Sequence, residues 1–254
     1  MRFTFLGTGT SQGVPVIGCE CEVCTSNDAR DKRMRTSAMV EVDGNTLVID
    51  TGPDFRQQML RNTPTDMPKV LFTHEHKDHI AGLDDIRAFN FKYRKPIEIY
   101  STRRVQEALK REYHYVFEAM KYPGVPQVNL HDITGKDTFE VNGTKIQCIN
   151  VLHYKLPVLG FRIRNLAYIT DANYIASEEK DKLRGLDVLI INALRKEKHI
   201  SHFNLEEALE LIAELKPKQS YLTHISHMLG LQSSVELELP DSVKIAFDDL
   251  VLNL

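Results

Sequence analysis

The chain has 254 residues, 42% of them apolar and 26% charged, which excludes a disordered chain, a coiled coil and a collagen. Lys and Arg number 32 against 35 Asp and Glu, a formal charge of -3, so a strongly basic nucleic-acid binder is not expected. No apolar run approaches the roughly 20 residues needed to span a bilayer, so no membrane contact is expected.

Arg2–Leu6 alternates like a strand and ends in a glycine turn at Gly7. Val16-Ile17-Gly18-Cys19 looks like a lipoprotein cleavage box, but Gly7–Gly13 before it is polar and glycine-rich and cannot form the apolar part of an export signal. The chain therefore reads as cytoplasmic. Residues 13–36 lack periodicity and read as a loop. Ser37–Val42 and Thr46–Ile49 flank Asp43-Gly44, a two-residue hairpin signal. Pro53–Arg61 reads as a short helix and Val70–Phe72 as a buried strand. Residues 80–125 read as mostly helical around one strand at Ile97–Tyr100. Strands return at Gln127–Asp132, Thr138–Val141, Thr144–Val151, Gly160–Ile163 and Leu166–Ile169. Ser177–Leu183 reads as a helix and Val188–Ile191 as a strand. Asn204 can cap a helix to Leu215, whose Leu205, Ala208, Leu209, Leu211, Ile212 and Leu215 make one apolar stripe. Ser220–Leu222, Val243–Ala246 and Val251–Leu254 close the chain as strands. Repeats, low-complexity runs and linkers are not apparent, which predicts a single layered α/β domain over 1–254.

Thr73-His74-Glu75-His76-Lys77-Asp78-His79 packs three imidazoles and two carboxylates into seven residues. His74 and His76 are two apart, so in an extended segment they point the same way and can grip one ion. Asp78 and His79 follow and can serve a second. Imidazole with carboxylate suits Zn²⁺, Mn²⁺ or Fe. A separate cluster, Cys19-x-Cys21-x-x-Cys24, offers three thiolates, and without an export signal it favours metal over disulfides. A fourth donor would complete a closed zinc site, with His227 and Cys148 the available choices.

The run His74-x-His76-x-Asp78-His79 after an apolar strand resembles the signature of the metallo-β-lactamase superfamily. The resemblance extends to His153, Asp171 and His224, each at a strand end, and to Asp50 in the early Asp-x-Gly element. It implies an αββα sandwich. It also implies two divalent ions: His74, His76 and His153 on one, Asp78, His79 and His224 on the other, with Asp171 bridging and Asp50 supporting from behind. Ions ~3.5–4 Å apart share a hydroxide that serves as nucleophile at neutral pH. Gly7-Thr8-Gly9, the Gly18–Cys24 loop, His224-Ile225-Ser226-His227 and Phe247-Asp248-Asp249 narrow the resemblance to one branch. That branch contains the phosphoribosyl 1,2-cyclic phosphate phosphodiesterases of the carbon–phosphorus lyase pathway, with ribonuclease Z more distant. It implies one structural zinc on Cys19, Cys21, Cys24 and His227, leaving Cys148 as a core residue. It further implies that His202 is not a ligand but contacts the phosphate or protonates the leaving oxygen, with His199 the weaker alternative. His114 and His131 read as surface or strand-edge residues.

The expected function is hydrolysis of a small cyclic or nucleotide-like phosphodiester, with Asp78 and His202 catalytic. Hydrolysis of a thioester, lactone or other carbonyl substrate on the same ions is the alternative, and a binding module without chemistry a further one. Asp171–His224 is too short for the Gly/Pro-rich arm of ribonuclease Z, containing only Gly185 and Pro217, so tRNA is not the expected partner. Residues 85–125, rich in Lys, Arg and aromatics from Phe89 to Tyr122, could cap the site. A homodimer is expected from kinship.

Overall fold

The computed structural model describes residues 1–120 and 122–254. Six strands come first: β1 (Arg2–Gly7), β2 (Ser37–Val42), β3 (Asn45–Ile49), β4 (Lys69–Leu71), β5 (Ile97–Ser101) and β6 (Val128–Asp132). Eight follow: β7 (Thr138–Val141), β8 (Thr144–His153), β9 (Leu156–Ile163), β10 (Leu166–Tyr168), β11 (Tyr174–Ile175), β12 (Val188–Asn192), β13 (Gln219–Thr223) and β14 (Val243–Ile245). The last strand, β15 (Val251–Asn253), returns to the first sheet, whose order is β15-β1-β2-β3-β4-β5-β6. The second sheet runs β11-β8-β9-β10-β12-β13-β14, with β7 paired to β8. In the first sheet the pairs from β3 to β6 are parallel, and in the second those from β10 through β12 and β13 to β14.

Asp43 and Gly44 join β2 to β3 with φ of 51° and 72°, the left-handed pair that matches strand twist in a two-residue hairpin. Because side chains alternate along a strand, each sheet offers two faces. Ala38, Val40, Leu47 and Ile49 turn toward the second sheet, where Phe161, Tyr168, Val188 and Ile190 meet them with Phe3 and Phe5. Met39 and Val48 turn the other way, onto Phe55, Met59, Phe89, Val105 and Leu109 of the outer helices. On the far side Leu189 and Ile191 face Ala208, Leu211, Ile212 and Leu215. Burial on both faces explains why Val188–Ile191 is apolar throughout rather than alternating. The layers are helix, sheet, sheet, helix.

The helix Leu205–Leu215 starts on a capping box: Asn204 Oδ1 accepts the Glu207 N–H and the Glu207 carboxylate accepts the Asn204 N–H. Elsewhere the elements differ in detail from the sequence-based expectation. The loop 13–36 holds one helical turn at Glu22–Thr25 and another at Ala29–Asp31. The helical stretch expected over 80–125 is broken into Arg87–Tyr93, Arg103–Glu112 and His114–Phe117, the first stopped by Arg94 in the left-handed conformation. The two-residue strand β11 carries too short a pattern to be read from sequence. Asp50, Phe72, His153, Asp171 and His224 all lie at or just past the carboxyl ends of their strands, at one edge of the sandwich. Ligands collect at such an edge because loops there can vary without touching the core.

Candidate metal centre

Asp50 leaves β3 with φ of 63° and is fully buried. Desolvation pushes its carboxyl upward, opposed by the charge and hydrogen bond of His79. Its Oδ2 lies 2.7 Å from His79 Nδ1 and accepts the Thr73 hydroxyl at 2.8 Å, while Oδ1 accepts the Thr73 N–H at 2.9 Å. Thr73 Oγ1 is in turn 3.0 Å from His74 Nδ1. One carboxylate therefore orients two imidazoles, turning their Nε2 atoms inward. The turn can approach this closely because residue 52 is glycine: a Cβ there would stand 2.2 Å from the Asp78 carbonyl oxygen.

Asp78 and His79 sit on the single turn Lys77–Ile80, for which His76 is the N-cap. Asp171 follows β10 and His224 follows β13, with φ of 57° and 53°. The donor atoms of Asp78, His79, Asp171 and His224 lie within 4.8 Å of one another. The remaining imidazoles stand alongside. Ring centroids are 4.6 Å apart for His74 and His76, 5.1 Å for His76 and His153, and 5.9 Å for His74 and His153. His153 Nδ1 donates to the Ser201 carbonyl at 2.7 Å, which frees its Nε2 for the cluster. Seven side chains from residue 74 to residue 224 thus come together at one edge of the sandwich.

The donors suit cations. His74 Nε2 and His224 Nδ1 are buried and lack hydrogen-bond partners among the described residues, and His79 Nε2 and His224 Nε2 face only carboxylate oxygens, of Asp171 at 3.2 and 3.1 Å. Native interiors rarely leave such atoms unsatisfied without a role for them. Asp50, Asp78 and Asp171 also bring three carboxylates into a site that burial makes hostile to charge. Burial opposes a proton on His224, yet Asp171 and Asp78 lift it to about 9. Burial likewise opposes charge on His79, but Asp78, Asp171 and Asp50 hold it well above the usual imidazole range. Protons gather where the carboxylates require positive charge, and divalent ions meet the same demand.

His202, expected to contact the substrate and not to be a ligand, stands against the donors. Its Nε2 is 3.1 Å from Asp171 Oδ1, and its ring lies 4.4 Å from that of His153 and stacks on His224 at 4.9 Å. Desolvation pushes it down to about 4, against the pull of Asp171. Sequence reasoning missed the groups that aim these side chains. Asn192 exchanges two hydrogen bonds with the Ala172 backbone at 2.8 and 2.9 Å, and Thr170 Oγ1 donates to Asp171 Oδ2 at 2.6 Å. Thr73, Asn192 and Ser201 are common polar residues that carry no spacing signal.

The cysteines form a second cluster. The sulfurs of Cys19, Cys21 and Cys24 lie 3.4, 3.3 and 3.5 Å from His227 Nδ1. Donors on one tetrahedral zinc, with bonds near 2.3 Å to sulfur and 2.0–2.1 Å to nitrogen, stand about 3.6 Å apart, so the four groups fit. The Cys24 N–H and His227 bring the Cys21 thiol down to about 6, whereas burial raises Cys24 to about 11. Ile225, between the two metal-type clusters, bonds through its backbone to Thr8 and Thr10 at 2.8 and 3.0 Å. Cys148 is buried between the sheets, away from both. His114 is exposed, and His131 on β6 stacks on Tyr100 and pairs with Glu98, both on β5.

Residues 103–115 lean on the histidine turn. Tyr113 Oη donates to the Ile80 carbonyl at 2.8 Å, Tyr115 Oη to Asp84 Oδ1, and Arg104 Nε to Glu75 Oε1. Phe91 and Tyr122 are exposed and Phe89 is buried.

Residues 45–225 match the model of the beta-lactamase superfamily domain. The chain belongs to the metallo-β-lactamase superfamily, whose fold is one that binds divalent metal. It is similar to a crystal structure described as a new diphosphatase from the PhnP family, with a TM-score of 0.92 and 37% identity over 100% of this chain and 97% of that one. It is 38% identical over 253 residues to an octanoyltransferase of Porphyromonas gingivalis, covering 98% of this chain and 51% of that protein, so the chain spans about half that relative's length. Zinc-bound PqqB from Methylobacterium extorquens shares the fold at a TM-score of 0.78 and 20% identity, over 100% of both chains. Among the described residues no helix is long and apolar enough to cross a membrane.

Proposed function

We propose that this protein is a metal-dependent phosphodiesterase acting on a small cyclic or nucleotide-like diester. The observation that carries the reading is the convergence of His74, His76, His153, Asp78, His79, His224 and Asp171 into one cluster, with His202 pressed against Asp171. In this reading the first three hold one ion, the next three a second, and Asp171 lies between them, with Zn²⁺, Mn²⁺ or Fe²⁺ all compatible with the donors. Bound there, two divalent ions supply a nucleophile from water near neutral pH and positive charge for the phosphoryl oxygens. Asp50 holds the His79 ring directly and the His74 ring through Thr73. Ser201 holds His153. His202 Nε2, free of a ligand's role, gives a proton to the leaving oxygen, a task suited to a nearby imidazole. Cys19, Cys21, Cys24 and His227 hold a structural zinc that pins the loop to the strand end bearing His224.

Likeness to the PhnP-family diphosphatase supports phosphorus as the atom attacked. A small substrate is favoured over tRNA because β12 and the helix Leu205–Leu215 fill the interval between Asp171 and His224. A metal-loaded preparation should cleave bis(p-nitrophenyl) phosphate or a 2′,3′-cyclic nucleotide. No turnover of phosphodiesters or diphosphate diesters with Zn²⁺, Mn²⁺ or Fe²⁺ overturns the reading. The similarity to an octanoyltransferase favours a second reading, hydrolysis of a thioester or other acyl substrate on the same donors. Turnover of octanoyl thioesters in the absence of diester cleavage selects it.

A further inference from the structure

The residues behind His202 show how its ring is held. Ser201 donates its backbone N–H to His199 Nδ1 at 3.3 Å. That nitrogen therefore carries no hydrogen, and its one lone pair, shared with the Ser201 N–H, stands 3.1 Å from His202 Nδ1. At the far end of the His202 ring, Nε2 meets Asp171 Oδ1 at 3.1 Å. His202 thus lies between two acceptors, one at each nitrogen. His199 is half-buried and belongs to neither the histidine–carboxylate donor group nor the cysteine cluster.

We infer that His199 is a positioning residue that fixes His202 by its Nδ1–H and so aims Nε2 at the leaving oxygen of the substrate. The role rests on the phosphodiesterase reading; the contact itself does not. As the bond from phosphorus to the leaving oxygen breaks, its electron pair stays on that oxygen, which takes the proton from His202 Nε2. The step starts from the imidazolium, which the acceptor at each nitrogen favours against the burial of the ring, and leaves the ring neutral with its Nδ1–H still donated to His199. A ring free to swivel would lose that alignment, and misplacement of about 1 Å costs on the order of a hundredfold in rate.

The test pairs a spectroscopic readout with a kinetic one on the zinc-loaded protein. Long-range ¹H–¹⁵N spectra should show a hydrogen-bonded Nδ1–H on His202 that disappears in His199→Ala. It should return in His199→Asn, whose side-chain oxygen offers an acceptor near the same place. An unchanged His202 pattern in His199→Ala overturns the inference, and its loss instead in Ser201→Ala assigns the ring to the serine hydroxyl, which lies 3.1 Å from the same nitrogen. In kinetics, kcat of His199→Ala should fall roughly ten- to hundredfold on diesters with alkyl leaving groups, and by less than about threefold with a nitrophenolate, which departs without a proton. KM should stay near wild type, and His199→Asn should recover most of the loss. An equal loss across leaving groups marks a structural role and overturns the assignment. A wild-type protein that cleaves no diester overturns the phosphodiesterase reading, while the spectra still decide the contact.

Discussion

Asp50, Asp171 and His224 each adopt a left-handed backbone that L-residues with a side chain visit at a cost, of order 1–3 kcal/mol for a strained position. The conformation turns the chain sharply just past the strand end, so that the side chain of the turning residue itself stands at the donor cluster rather than continuing the pleat. Such strain persists only where the surroundings over-determine it. Around Asp50 they do: three hydrogen bonds converge on its two oxygens. Asp50→Ala should reduce active-site metal affinity by about 10- to 100-fold, as loss of a group behind a ligand usually does. Competition with a chelator of known affinity measures it, and an unchanged affinity would remove Asp50 from its supporting role. His202→Ala separates binding from chemistry. It should retain its ions by elemental analysis while kcat falls by roughly 10²- to 10⁴-fold, the usual weight of a positioned acid. Loss of ions in that variant would instead make His202 a ligand.

Among the elements, the helix Leu205–Leu215 was legible because two local signals agreed: a capping Asn204 and one apolar stripe. The capping box is present and the stripe packs on the second sheet. Asn204→Ala should lower the unfolding free energy by about 1 kcal/mol, read from the urea midpoint at constant slope. Because Asn204 Nδ2 also donates to the Lys196 carbonyl at 2.9 Å, the segment carrying His199 to His202 should loosen with it and exchange its amide hydrogens faster. The histidine turn was equally legible, since His74, His76, Asp78 and His79 are adjacent and their spacing speaks for itself. His153, Asp171 and His224 were legible only through the family's order of ligands, because a lone histidine at a strand end has no pattern. Ser201 was invisible: it acts through its carbonyl, which every residue possesses. The broken helices of 80–125 escaped because their stops depend on tertiary contacts such as those of Tyr113 and Tyr115.

At the scale of the whole molecule, Asp248 ties the two ends of the chain together. Its Oδ1 accepts the Thr8 N–H and hydroxyl at 2.9 and 2.8 Å, and its Oδ2 accepts the Met34 N–H at 2.7 Å. Desolvation pushes its carboxyl up to about 6, against those hydrogen bonds. A carboxyl raised on folding holds a proton the unfolded chain would release. Its stabilising contribution is complete below about pH 4 and is lost as pH rises through 6. The stability of the wild type minus that of Asp248→Asn should therefore decline between pH 4 and 7, measured by urea unfolding at a series of pH values. A difference that is flat, or that grows with pH, contradicts the shift. Comparing the two proteins at each pH cancels the changes in metal loading that both share.

The donors are divided between the halves of the sandwich: residues 74 to 79 belong to the first sheet's edge, and 153, 171 and 224 to the second's. Neither half can therefore build the reactive centre alone. A ribosome that has released only the first 130 residues has made four of the seven donors and nothing for them to meet, and a chain cut between the sheets parts them from the other three. The fold acts as an interlock, assembling the donor cluster only after the inner faces of both sheets have closed on each other.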